Sequence, residues 1–184
     1  MPADFNTPAM LETLSHRLLD AARKAGAEAA DALAVSGTAQ SIGIRQAALE
    51  QAERAEAVDI GLRVLIGRRQ ACVSASDTSE ATIAALAERA VAMAREAPVD
   101  PHAGLADPGQ IARGWDLAGY ELLDPAAEPG AAALEQDARE AEAAALAHAG
   151  ITQVEASAGY SRRAMHLAAT NGFSGGYART SRSI

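Results

Sequence analysis

The chain has 184 residues, of which 49% are apolar and only 3% aromatic, and it carries a formal net charge of −8 with a pI near 5.0. That length suits one domain, or one domain with an appendage, and its core must be built from Leu, Ile, Val and Ala. The acidic balance argues against nucleic-acid and anionic-membrane partners, and no run of 18 or more apolar residues is present to span a bilayer.

Met1 to Met10 contain Asp4 and no basic residue, so they do not read as a signal peptide, and the cytoplasm is the expected compartment. A helix is expected over Pro8 to Ala25. Leu11, Leu14, Leu18, Ala22 and Ala25 recur there at helical spacing, with Thr7 as N-cap, Pro8 at the first helical position and Gly26 closing the end.

From Ala30 to Ser76 the apolar period becomes two. Ile42 and Ile44 form one short row, Ile60, Leu62, Val64 and Ile66 a second, and Ala71, Val73 and Ala75 a third beyond a Gly67-Arg68 turn. Leu49 to Glu56 reads as a polar strand between two others. The gaps are too short for crossover helices, so an antiparallel meander of about four strands is expected. Cys72 lies in this pattern with no helix N-terminus behind it. It reads as a structural residue rather than a thiol nucleophile with His102 or His166 as base, and a lone cysteine forms no intramolecular disulfide.

A second helix is expected from Asp77, which has capping-box spacing to Glu80, up to Pro98. Its buried stripe is predicted as Ile83, Leu86, Ala90, Met93, Ala94 and Ala97. Residues 98–130 are broken by Pro98, Pro101, Pro108, Pro125 and Pro129. They read either as a surface wrap pinned to the core by Trp115 or Tyr120, or as a mobile arm. A third helix is expected over Ala131 to Ala149, closed by Gly150, with Leu134 and Leu146 on its apolar face. Two alternating runs follow, Val154 to Ser161 and Met165 to Ala169, and Asn171-Gly172 then signals a hairpin into a second arm, Phe173 to Ile184. The alternation is unfinished at Ile184, so the sequence is expected to continue beyond it.

The fold class this predicts is α+β: an antiparallel sheet meander with two to three packed helices, cut within a C-terminal strand. The expected organisation is an N-terminal core over 1–97, a connecting arm over 98–130, and a helix plus hairpin over 131–184 that completes the domain.

The chemical motifs are sparse. His16, His102, His148 and His166 include no pair three to five residues apart, so no helical metal pair is expected and each reads as solvated or incidental. No catalytic or metal residue is assigned. Gly172 to Tyr177 is glycine-rich but lacks the Lys and helix start of a phosphate loop. Arg162, Arg163, Arg179 and Arg182 flank the hairpin and are the candidate contacts for a peptide carboxylate or another anion, since each guanidinium offers a bidentate fork. A solvated, scattered charge is the plainer reading of the same four residues.

Three runs in order resemble one family. DIGLRVLIGRRQACVSASD over Asp59–Asp77, MAREAPVDPHAGLAD over Met93–Asp107 and ATNGFSGGYARTSRS over Ala169–Ser183 are similar to the N-terminal domain of the TldD/PmbA family, the last two in the manner of its PmbA branch, also called TldE. The resemblance implies a subunit of a heteromeric metallopeptidase that processes peptides and unfolded polypeptides, two to three times longer than this chain. It implies zinc on a TldD-like partner, held by a His-Glu-x-x-x-His motif, and no cofactor in this fragment. That motif is absent here, so the resemblance transfers no catalytic or metal residue. Older names of the family refer to DNA gyrase, but the acidic balance gives no support for direct DNA contact.

Overall fold

The computed structural model describes residues 8–114 and 116–184, the side chain of Ala118 excepted; the expected cap Thr7 and anchor Trp115 lie outside the described residues. The elements are α1 (Pro8–Ala25), β1 (Ala29–Arg45), β2 (Ala48–Ile66), β3 (Arg69–Ala75), α2 (Glu80–Glu96), α3 (Ala131–Leu146), β4 (Glu155–Ala169) and β5 (Ser174–Ser183). The strands form an antiparallel five-stranded sheet in the order β3-β2-β1-β4-β5. The fold is α+β, as the sequence predicts.

Helix α1 has the expected bounds and buries Leu11, Leu14, Ser15, Leu18, Leu19 and Ala22. It ends in a Schellman arrangement. Gly26 has φ +99°, its N–H donates to Arg23 O (3.1 Å), and the Ala27 N–H reaches back to Ala22 O (3.0 Å).

Only three strands, not four, precede α2. The polar stretch Leu49 to Glu56 is the first part of one 19-residue strand, β2, whose later residues Ile60, Leu62 and Val64 are buried. The β1–β2 turn was hard to foresee because Gln46 and Ala47 both take positive φ (53° and 58°) without a Gly or Asn. Helix α3 holds this turn: Glu142 Oε2 accepts from the Ala47 N–H (2.9 Å), and Arg139 Nη1 donates to Ala47 O (2.5 Å). The β2–β3 turn uses Gly67 at φ +56° and pairs Ile66 with Arg69, as its Gly-Arg dipeptide suggested.

In α2 the N-cap is Ser79, whose Oγ accepts from the Thr82 N–H, not Asp77. Asp77 stands one step out and accepts from the Ser79 N–H and Oγ–H (both 2.9 Å) and from the Thr82 hydroxyl, which together hold its pKa below the ordinary carboxylate range. Glu80 is turned to an ion pair with Arg17 (2.5 Å). The buried stripe is Ile83, Leu86, Ala87, Ala90, Val91 and Ala94; Met93, expected within it, is 46% exposed, because the stripe passes through Val91. Likewise Leu146 is exposed at the end of α3, which buries Leu134, Ala138 and Glu142 instead.

Residues 98–130 include two single-turn 3₁₀ helices, Pro108–Gln110 and Ala118–Tyr120. Tyr120 is 67% exposed, so it is not the anchor. Bonds to its backbone hold the segment instead: the Asp100 N–H donates to Arg68 O (2.8 Å), the Asn171 side-chain Nδ2 to Ala106 O (2.9 Å), and the Thr180 N–H to Leu122 O (2.9 Å).

The described residues form two compact units. One comprises the chain through Ser36, Ala57–Tyr120 and Ala164–Ala178. Its core joins the α1 and α2 stripes to the even-numbered faces of the strands, Ala30, Ala32 and Ala34 on β1, Ile60, Leu62 and Val64 on β2, and Ala164 and Ala168 on β4. Alanine rows on two neighbouring strands let the helices sit close to the sheet. The other unit comprises Gly37–Glu56, Glu121–Arg163 and Arg179–Ile184, with a smaller core of Ile42, Ile44, Leu134, Ala138, Ala158 and Tyr160.

Candidate functional site

The inward row of β4 in the larger unit is not the apolar one. Ala164, His166 and Ala168 are buried, while Leu167 is 37% exposed. His166, read from sequence as solvated or incidental, is therefore a core residue. A strand presents alternate residues to opposite faces, and the small Ala rows beside His166 leave room for its ring.

Its two ring nitrogens are both engaged. Nδ1 lies 2.7 Å from Ser15 Oγ on α1, which is fully buried, and Nε2 lies 3.3 Å from Ser174 Oγ at the start of β5. Ser15 Oγ also donates to Glu12 O (2.9 Å), and His16 Nε2 is 3.3 Å from Ser174 Oγ. One assignment satisfies every group. His16 Nε2–H donates to Ser174, Ser174 O–H to His166 Nε2, His166 Nδ1–H to Ser15, and Ser15 O–H to the Glu12 carbonyl. Burial lowers the His166 pKa, the Glu12 carboxylate opposes that shift, and His16 reinforces it. Burial thus disfavours the charged ring, and the hydrogen-bond partners select one tautomer.

The hairpin that delivers Ser174 has a loop one residue longer than the two-residue turn an Asn171-Gly172 pair signals. Only Gly172 takes positive φ (+95°); the Gly172 N–H bonds Ala169 O (3.1 Å), the Ala169 N–H bonds Phe173 O (2.9 Å), and Asn171 Oδ1 accepts from the Phe173 N–H (3.2 Å). This is a three-residue loop with glycine in the left-handed position. A Cβ on Gly176 would meet the Met165 carbonyl oxygen and lie 3.0 Å from His166 Cα, so only glycine lets β5 close onto β4 there.

Beside this hairpin lies an apolar groove of about 330 Å³, lined by Leu33, Leu117, Met165, Leu167, Phe173 and Tyr177 with the bare backbone of Gly175 and Gly176. β5 is an edge strand of the sheet. An edge strand with glycines and an adjacent apolar groove can pair with an extended chain and seat its side chains.

The four sequence-predicted arginines lie in the smaller unit, Arg162 and Arg163 on β4 and Arg179 and Arg182 on β5, all exposed. Arg182 is engaged: its Nε is 3.2 Å from Asp137 Oδ2 and its Nη2 closes a second bond to the same oxygen. Arg162 contributes to holding the Glu128 carboxyl at a lowered pKa, an effect dominated by the hydrogen bond from Arg54 (2.6 Å). The strands thus place the four on neighbouring strands, and α3 takes one of them for its own ion pair.

Cys72 is exposed, opposite Arg63 in the β2–β3 register, and His102 and His148 are exposed as well. Among the described residues, no group of three or more His, Cys, Asp or Glu side chains stands ready to hold a metal. No helix among the described residues is long and apolar enough to cross a membrane.

Residues 30–94 match the sequence profile of PmbA/TldA metallopeptidase domain 1. Among solved structures, a candidate modulator of DNA gyrase from Bacteroides thetaiotaomicron VPI-5482 aligns over 95% of this chain and 39% of its own, at 21% identity and a TM-score of 0.78. TldE from Thermococcus kodakarensis aligns over 91% of this chain and 37% of its own, at 14% identity and a TM-score of 0.73. A candidate modulator of a DNA gyrase from Thermotoga maritima MSB8 aligns over 93% and 38%, at 14% identity and a TM-score of 0.69. The chain thus spans about two fifths of each of these proteins, whose low identity speaks for the fold. No curated protein matches it. Residues 30–94 thus resemble the first domain of the PmbA/TldD metallopeptidases, and the chain shares its fold with these solved structures.

Proposed function

We propose that the chain is the first domain of a PmbA/TldE-like subunit in a TldD/TldE-type zinc metallopeptidase complex that processes peptides or unfolded polypeptides. In this reading the zinc resides on a TldD-like partner, and this domain helps to enclose the chamber and to guide the substrate. The observation that carries the reading is the family profile over residues 30–94. The edge strand β5, with its glycines and the apolar groove beside them, supports a role in holding an extended peptide. Between Leu122 and Asp124 the chain already occupies part of that edge, since the Thr180 N–H and Oγ bond the Leu122 O and the Asp124 N–H. The stretch available to a peptide is therefore Ser174 to Ala178. Coexpression of the protein with a TldD-type subunit tests the proposal: the two should copurify as a complex with peptidase activity. Failure of the two to associate, together with no peptide binding, would refute it.

A second reading rests on the exposed Arg162, Arg163 and Arg179, which suit an anion or peptide-carboxylate contact in a non-catalytic binding module. Calorimetry with acidic peptides should then show heat that a combined Arg162→Ala, Arg163→Ala variant abolishes. A flat titration of the original protein removes this reading.

A further inference from the structure

His16 Nε2 and His166 Nε2 each stand 3.3 Å from the same atom, Ser174 Oγ. The rings come from α1 and β4, with centroids 6.0 Å apart and planes inclined by 48°. His166 cannot turn away, because its Nδ1 is fixed on the buried Ser15 hydroxyl, itself bonded to the Glu12 carbonyl. With Nδ1–H donated to Ser15, the Nε2 lone pair faces outward toward Ser174. A metal-bound imidazole has this form: one ring nitrogen donates to a fixed oxygen, and the other presents its lone pair. His16 is exposed, and a switch from the Nε2–H form that donates to Ser174 to the Nδ1–H tautomer presents its Nε2 lone pair. One helical turn before it, at the i,i+4 position of the same face, stands the exposed carboxylate of Glu12, whose charge already acts on His166. As the side chains stand, these three do not converge at ligand distance. The two imidazoles already meet at one point, and an exposed glutamate reaches a neighbour one turn away by a rotamer change.

We propose that His16 and His166, with Glu12 as third donor, bind a divalent late transition-metal ion. Two imidazoles and a carboxylate favour Cu(II), Ni(II) and Zn(II) over Mg(II) and Ca(II). The ion would tie α1 to β4 next to the first residue of β5. It would stabilise the folded chain, because unfolding disperses donors that lie some 150 residues apart.

The test is a titration of the protein with Cu(II), Ni(II) or Zn(II) chloride in a weakly coordinating buffer at pH 7.5, followed by calorimetry and thermal unfolding. One ion per chain is expected, Cu(II) binding most tightly, with Tm rising as the metal is added. His16→Ala should weaken binding at least tenfold, and the metal-free variant should still fold, since His16 is exposed. Glu12→Gln should weaken it less. The Cu(II) electron paramagnetic resonance spectrum should show coupling to two imidazole nitrogens, and to one after His16→Ala. Absence of saturable one-to-one binding overturns the proposal, as does binding that His16→Ala leaves unchanged.

Discussion

Burial of His166 behind Ser15 and Ser174 makes folding depend on pH, and the sign follows from the direction of its shift. Its pKa in the folded protein lies below the unfolded value, mainly through desolvation. Between the two values the unfolded chain holds more protons, so stability rises with pH there. The contribution is fully present above the unfolded His pKa of about 6.5 and is lost as pH falls through the folded value. Urea unfolding at pH 7.5 and 5.5 should show the protein weakening at the lower pH, with a smaller loss in His166→Gln. An equal loss in both would mean that other groups carry the effect. At the same scale, Gly176→Ala should destabilise strongly, because the added Cβ meets the Met165 carbonyl oxygen, a backbone atom that cannot rotate aside. Circular dichroism melts of the variant would check this, and an unchanged Tm would contradict the close approach of β5 to β4.

At the scale of the element, α1 and the β1–β2 turn make opposite predictions. Leu14 is 2% exposed in the α1 stripe, so Leu14→Ala should cost about 2–5 kcal/mol, read by chemical denaturation. In the turn, Gln46 and Ala47 both occupy the left-handed region. Ala47→Gly should relieve that strain and raise stability by roughly 0.5–1 kcal/mol, the gain reduced by the extra freedom glycine gives the unfolded chain. A destabilised Ala47→Gly variant would show that Glu142 and Arg139 already remove the penalty by gripping both backbone groups of Ala47. The elements themselves were largely readable. α1 follows from its leucine spacing and its Gly26 stop, and the strands follow from a period of two. What failed was the assignment of faces near element ends. Met93 and Leu146 fit a helical stripe by spacing, but whether a stripe residue is buried depends on whether a partner extends that far.

At the scale of the whole molecule, the two units differ in how much apolar surface they enclose. The larger core draws on two helices and four strands, β1 to β4, while the smaller is built from six buried residues around Leu134 and Tyr160. Amide exchange should therefore be slowest at Ala30 to Ala34 and Ile60 to Val64, and faster at Ile42, Ile44 and Tyr160, even though the same long strands supply both sets. Uniform protection along β1 would show that the strand opens as one piece.

The local code of this sequence determined its helices, its turns at Gly67 and Gly172, its α+β class and, through three ordered runs, its resemblance to the PmbA/TldD family, because each of these is written in residues close together in the chain. Only the tertiary structure decided that His166 is buried, that Ser15 fixes its tautomer, and that His16 meets it at Ser174. Those contacts join residues 151 and 158 positions apart, and no spacing rule spans such a distance. Histidine spacing in the chain does not reveal this pair for that reason: strand order and helix docking, rather than adjacency, bring the two imidazoles to one hydroxyl.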